Sequence, residues 1–115
     1  MKRHMSCAGC ILLTLILMFS PMIAIASSGW TDYGSVTELT PSIHGRFIVA
    51  INVAENPSGC KEKRKFYQDY SVTGSRQMFD TLLKAVTSRN RVRVFVTGRC
   101  ELNGYAEISS VTIIP

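Results

Sequence analysis

The first 26 residues have the pattern of an export signal, and their removal leaves only a short chain to fold. A basic start at Lys2 and Arg3 is followed by an apolar run over residues 11–19 and by small residues at Ala24 and Ala26. Alanines at these two positions fit the A-x-A site that signal peptidases recognise. The apolar stretch is shorter than the roughly 20 residues that a transmembrane helix needs. We therefore predict cleavage after Ala26 and no membrane span in the mature chain.

What remains is a single small domain, residues 27–115, with a predicted secreted or periplasmic location. Two of the 13 basic residues lie in the signal, so the mature chain has 11 basic and 8 acidic residues and a net charge of +3. Its 89 residues are too few for a Rossmann fold, a TIM barrel or a separate cofactor domain. A chain of this size also buries too little apolar surface to be comfortably stable on packing alone.

Two cysteines can supply a further constraint. Cys60 and Cys100 remain once the C-x-x-C pair of Cys7 and Cys10 has left with the signal, and small exported domains use such even pairs as disulfides. A zinc site would need four ligands, whereas the mature chain adds only His44 to the two cysteines. We therefore predict a Cys60–Cys100 disulfide, which stabilises the fold by about 4 kcal/mol on the chain-entropy model.

Hydrophobic periodicity predicts five strands and one helix in the mature chain. Most of the strand segments alternate apolar and polar residues, and the helix has an apolar stripe, with Ser75 as its N-cap. The predicted strands are residues 35–40, 46–53, 66–70, 90–97 and 105–114, and the predicted helix is residues 75–88. A helix between the third and fourth of five strands is the order of the OB-fold. We therefore predict a mainly β, OB-fold-like barrel, with an open α+β sheet as the alternative.

Local signals refine these elements. Residues 27–29 are predicted to be a loose leader. The strand at residues 46–53 is apolar on both faces, which predicts a central strand covered on both sides. The apolar period of the last strand slips at Ser109 and Ser110, which predicts a bulge or a sharp bend there.

Several of these segments together resemble a known family. They are the signal, the Phe-Ile-Val run at residues 47–49, Cys60 just before the third strand, and the helix MFDTLLKAVTS (residues 78–88) that leads into VRVFV (residues 92–96). Over most of residues 34–114 the chain resembles the B subunits of bacterial pentameric toxins, most nearly that of the subtilase cytotoxin and its small exported relatives. The resemblance implies a bacterial OB-fold protein that packs as a homopentamer and binds cell-surface glycans on its outer surface. It assigns no site residue.

Residues with catalytic chemistry are scarce in the mature chain. Its single histidine, His44, lies in a predicted turn, where a solvated side chain is the usual finding. The eight carboxylates are spread singly, and no nucleophile, metal or phosphate-binding motif is present. We therefore predict that the protein is not an enzyme and needs no metal or cofactor.

The densest charge lies in what we call the basic segment, residues 61–65, in which Lys63, Arg64 and Lys65 precede Tyr67. Basic residues beside aromatic ones on an OB-fold can bind single-stranded nucleic acid. Export and the modest net charge make nucleic acid the least favoured ligand. An anionic glycan, sialylated or sulfated, is favoured over it, whereas most charge runs are solvated loops with no ligand.

Two further pairs of residues are candidates for ligand contact. Trp30 and Tyr33 have flat rings that can stack on a pyranose, with a plug at one end of the barrel as the alternative role of Trp30. Arg93 and Phe95 share the outward face of their strand, because Val94 between them points inward. That face is predicted to be a binding patch, a subunit interface or a surface packed on the helix.

Taken together, the sequence predicts a small exported, non-catalytic binding protein that recognises anionic cell-surface glycans. The predicted ligand-binding residues are Trp30, Tyr33, Lys63, Arg64, Lys65, Tyr67 and Arg93. The alternative is a protein–protein interaction module, either an inhibitor or an accessory subunit of a secreted complex.

Overall fold

The computed structural model describes residues 27–115, so the predicted signal peptide and the pair of Cys7 and Cys10 lie outside the described residues. The described chain contains six strands and one helix. They are β1 (Gly29–Trp30), β2 (Gly34–Ser42), β3 (Arg46–Asn52), β4 (Lys65–Asp69), α1 (Ser75–Ser88), β5 (Arg91–Val96) and β6 (Ala106–Ile114). The prediction of a mainly β chain with one helix is confirmed.

The sheet closes on itself. Its order is β1-β5-β2-β3-β4-β6, and an additional pairing of β5 with β6 joins the two sides into a ring of five strands. All pairings are antiparallel except that of β4 with β6, which is parallel. Strand β1 lies outside the ring on β5, at the opposite end of β5 from the pairing with β2. The open-sheet alternative is therefore not what the described chain adopts.

Alternating side chains fill the inside of the ring. On β3 and β5 the predicted inward residues are buried, and α1 packs on β2, β5 and β6 through Leu82 and Ala85. The fully buried strand residues are Phe47, Val49, Ile51, Phe66, Val92, Val94, Val96, Ala106 and Ile108. The second face of β3 is not covered as predicted, because Ile48 and Ala50 are only partly buried.

The amino-terminal residues form more structure than predicted. Gly29 is not part of a loose leader, because it belongs to β1 and pairs with Val96 of β5. Ser27 is also held: its N–H and its hydroxyl donate to the carbonyls of Ser58 and Pro57, at 3.2 and 2.6 Å. A strand of two residues is too short to give a periodic pattern, so the sequence carries no signal for it.

The start of α1 also differs from the prediction. Ser75 is the first helical residue and not the N-cap, which is Gly74 with a φ of 89°. The Ser75 hydroxyl is buried and has no hydrogen-bond partner in the described chain, so its side chain faces the protein interior and caps no backbone N–H. Glycine occupies the cap because a positive φ is strained for a residue with a Cβ.

Two predicted local features are confirmed. Cys60 and Cys100 form a disulfide with their Cα atoms 5.5 Å apart, which joins the loop before β4 to the loop after β5. In the β5–β6 ladder Phe95 pairs with Ser110 and Val96 pairs with Ile108, so one residue of β6 is left over as a bulge.

Candidate ligand-binding site

Three of the predicted ligand-binding residues meet on the outside of β5. The Arg93 guanidinium lies between two rings, 4.5 Å from the centroid of Trp30 and 5.2 Å from that of Tyr33. Trp30 also meets the Phe95 ring edge-on, at 5.5 Å between centroids. We call Trp30, Arg93 and Tyr33 the aromatic stack.

Two short strand pairings build the aromatic stack. Trp30 in β1 pairs with Phe95 of β5. Phe95 is the next residue after Arg93 on the same face of β5, so the Trp30 ring lies close to Arg93. Tyr33 comes just before β2, whose first residue, Gly34, pairs with Val92. Strands β1 and β2 pair with the same edge of β5, β1 after Arg93 and β2 before it. Residues 31–33 connect the two strands past Arg93, which places both rings at its guanidinium.

Arg93 has no carboxylate partner within residues 27–115. The salt bridges of this part of the chain involve other arginines, and the Arg93 Nε is buried without a hydrogen-bond partner. Stacking on aromatic faces orients a guanidinium and is worth about 0.5–2 kcal/mol per contact, depending on desolvation. The aromatic stack therefore holds a cation whose hydrogen-bonding edge is not matched by an acid of the described chain.

A cleft of about 350 Å³ opens beside Trp30. Its second wall is the loop between β3 and β4, held in place by side-chain hydrogen bonds. The Asp32 carboxylate accepts the N–H groups of Ala54 and Glu55 at 3.2 and 3.0 Å, and the Asn56 amide donates to the Lys63 carbonyl at 3.0 Å. The lining residues are Trp30, Thr31, Asp32, Ala54, Glu55, Asn56, Pro57 and Lys63.

Three groups in the cleft are available to a ligand. The Trp30 ring is 40% exposed, which leaves apolar surface beside polar groups. The side chains of Glu55 and Lys63 are exposed and make no hydrogen bond or ion pair with the described residues. An exposed ring, a carboxylate and an ammonium group can together bind a polar molecule that has one flat apolar face.

The basic segment does not act as one patch. Lys63 lines the cleft, but the Lys65 ammonium lies over the Tyr105 ring, 5.6 Å from its centroid. Arg64 is exposed immediately before β4 and does not line the cleft. Of these three predicted residues, the structure therefore places Lys63 in the cleft beside Trp30 and leaves Arg64 and Lys65 elsewhere.

Tyr67 is not placed for ligand contact, because only 4% of it is exposed. Burial raises the pKa of its phenol, and the carboxylates of Glu107, Glu101 and Asp69 raise this pKa further. Tyr67 therefore stays protonated as a packed side chain. We leave it out of the site on these grounds.

Only Trp30 and Lys63 of the cleft lining were predicted site residues. The six that sequence reasoning missed are Thr31, Asp32, Ala54, Glu55, Asn56 and Pro57. Residues 55–59 are a strong turn signal, but a turn pattern does not tell which distant residue the turn will face. The bond from Asp32 to the loop joins residues more than 20 positions apart, and only the folded chain shows it.

Thr31 fixes the position of Trp30, and its loss is predicted to destabilise the fold. The Thr31 hydroxyl is buried and accepts the Val94 N–H at 3.1 Å. Thr31→Val keeps the shape but leaves that N–H without an acceptor, so we expect the free energy of unfolding to fall by about 2 kcal/mol. Thr31→Ser, which keeps the hydroxyl, is the matched control and is expected to lose less. Urea denaturation measures both, and equal losses would contradict the assigned hydrogen bond.

Neither a search of the described residues for other kinds of site nor a comparison with known proteins assigns a function to the cleft. Among residues 27–115, no three His, Cys, Asp or Glu side chains lie together as a metal site would require. No helix in this part of the chain is long and apolar enough to cross a membrane. Comparison of the chain with protein-family models, with curated proteins and with solved structures gave no match.

Proposed function

We propose that this chain is a small exported, non-catalytic protein that binds an anionic cell-surface glycan at the aromatic stack and the adjoining cleft. The observation that carries the proposal is Arg93, which is stacked between Trp30 and Tyr33 without a carboxylate partner in the described chain. Since the Nε of Arg93 is buried, the ligand would meet the two Nη groups, which can donate two parallel hydrogen bonds to a carboxylate or sulfate.

The half-exposed Trp30 ring supports the sugar part of this proposal. One face of a pyranose carries C–H groups, and a flat ring with apolar surface can stack on it. Lys63 and Glu55 flank the same cleft, where an ammonium group can attract the acidic substituent and a carboxylate can accept hydroxyl hydrogens. Arg93 and Lys63 would therefore select an acidic glycan over a neutral one.

The fold part of the proposal is an OB-type barrel. The five ring strands, β2 to β6, with α1 between the third and the fourth, have the element order of that fold. The chain would then be a bacterial protein of the toxin B-subunit type, and a homopentamer is the assembly to test for. The Cys60–Cys100 disulfide is compatible with a secreted or periplasmic location.

A glycan array tests the binding directly. The wild-type protein is expected to bind sialylated or sulfated glycans in a salt-sensitive manner, because part of the attraction is between charges. Trp30→Ala is expected to weaken binding by roughly tenfold, which corresponds to about 1.4 kcal/mol. Trp30→Phe keeps an aromatic face and is expected to lose less.

Two lysines of the basic segment form a matched pair that tests the electrostatic contribution to glycan binding. Lys63→Ala is expected to weaken binding and to reduce its salt dependence, whereas Lys65→Ala is expected to leave both unchanged, since Lys65 lies at Tyr105. Equal effects of the two variants would rule out the cleft as the binding site. A blank array together with capture of a defined protein would favour the interaction-module alternative.

A further inference from the structure

The basic segment has a second property, which is its accessibility as a polypeptide. Residues 61–64 are all exposed and belong to no helix or strand, and only Lys65 is part of β4. Three of these four exposed residues are Lys or Arg. Peptidases with an acidic primary pocket cut after Lys and Arg, and exposed loops are where folded chains are usually cut.

Few hydrogen bonds hold the peptide bonds of this segment. The Lys63 carbonyl accepts one hydrogen bond, from the Asn56 side chain, and the Arg64 carbonyl accepts one from the Ile51 N–H, both at 3.0 Å. The Glu62 N–H also donates to the Gly104 carbonyl at 3.0 Å, so a peptidase that binds the segment in extended form has to open these three hydrogen bonds. A peptide bond inside α1 or the ring would require a whole turn or ladder to open.

The other basic residues of the described chain are less open to a peptidase. Most lie in strands or in α1; these are Arg46, Lys65, Arg76, Lys84, Arg91 and Arg93. Arg89 ends the helix with its N–H bonded to the Ala85 carbonyl. Arg99 is exposed in a loop and its carbonyl accepts one hydrogen bond, from the Glu107 N–H at 3.0 Å; it differs from Lys63 and Arg64 because the cross-linked Cys100 follows it directly and restricts how far this loop can extend into a peptidase.

We propose that the basic segment is a cleavage site for a basic-specific extracellular endopeptidase, which converts the protein into two chains joined by the Cys60–Cys100 disulfide. One water is consumed: the peptide C–N bond after Lys63 or Arg64 breaks, the carbonyl carbon takes the hydroxyl, and the nitrogen leaves as an amine. Cys60 lies before the cut and Cys100 after it, so the bridge links the two products.

The cut separates the ring strands into two sets that remain paired. One product carries β1, β2 and β3, and the other carries β4, α1, β5 and β6. The ladders of β3 with β4, of β2 with β5 and of β1 with β5 cross between the products. We therefore expect the cut protein to keep its fold and the disulfide to hold both products in one molecule.

Limited digestion of the oxidised full-length protein with trypsin tests this inference. The first product is expected to run as one species without reductant and as two fragments with reductant. Mass spectrometry is expected to give one fragment that ends at Lys63 or Arg64 and another that ends at Pro115. The readout is independent of glycan binding, so the two proposals can fail separately.

Two double variants distinguish the proposed site from general sensitivity to the peptidase. Lys63→Gln with Arg64→Gln is expected to remove the first cut over the time in which the wild-type protein is fully converted. Lys84→Gln with Arg89→Gln, which removes two exposed basic residues at the end of α1, is expected to leave the rate unchanged. A first cut after Arg76, Arg89 or Arg99, or fragments that separate without reductant, would overturn the proposal.

Discussion

The double variant Cys60→Ala with Cys100→Ser is expected to lose about 4 kcal/mol of unfolding free energy relative to the oxidised wild-type protein. The disulfide joins positions 40 residues apart and so restricts the conformations of the unfolded chain. Its removal restores this conformational entropy and stabilises the unfolded state. A loss of this size is a large part of the 5–15 kcal/mol that is typical of small domains. Urea unfolding at matched protein concentration measures it.

Reduction of the wild-type protein provides the control for this prediction. Reductant is expected to lower the stability of the wild-type protein to that of the double variant and to leave the double variant unchanged. Each single variant should already show the full loss, because the bond needs both sulfur atoms. A loss below about 1 kcal/mol would mean that packing alone holds this small core, contrary to the size argument.

Gly34→Ala is expected to have the second largest effect, a loss of about 3 kcal/mol from overpacking. A Cβ at this position would lie against the Asn52 carbonyl group, 2.7 Å from its carbon, and 3.1 Å from a methyl of Val53. The obstacle is backbone of the neighbouring strand, which cannot move aside as the end of a side chain can. Strands β2 and β3 would have to separate where the β2–β5 pairing also begins.

Gly45→Ala is the matched control for this variant. Gly45 lies in the turn between β2 and β3 with a φ of +76°, and an added Cβ meets nothing within 4 Å. Its cost is therefore conformational, about 1 kcal/mol for a left-handed residue with a side chain. Thermal or urea unfolding of both variants separates the cost of overpacking at Gly34 from the conformational cost at Gly45. If Gly34→Ala were no more destabilising than Gly45→Ala, the close approach of β2 and β3 would be wrong.

The inward faces of the strands could be predicted because they depend on a period of two residues. Val92, Val94 and Val96 are buried and alternate with positions that are exposed or only partly buried, as the period of two predicts. The disulfide could be predicted for a different reason, since only two of the four cysteines lie outside the predicted signal peptide. The first inference depends on the local alternation of residues and the second on the number of cysteines, and neither depends on how distant segments pack.

The candidate site could be predicted only in part, because its geometry depends on contacts between distant segments. Trp30 and Arg93 were separate candidates, and their contact requires β1, a two-residue strand that leaves no periodic trace. Lys63 and Lys65 looked equivalent in the sequence. They differ because β4 begins at Lys65, which fixes that side chain near Tyr105 and leaves Lys63 in the loop at the cleft.

The hydrogen bonds of Ser27 affect how the protein should be labelled for experiments. This residue is joined to Pro57 and Ser58, and Pro57 is part of the cleft wall. An affinity tag or fluorophore fused directly before Ser27 would lie beside the cleft wall at Pro57 and is expected to block access to the cleft by its size. A label attached after Pro115 would instead sit near Lys84 and Asn90, among residues that do not line the cleft.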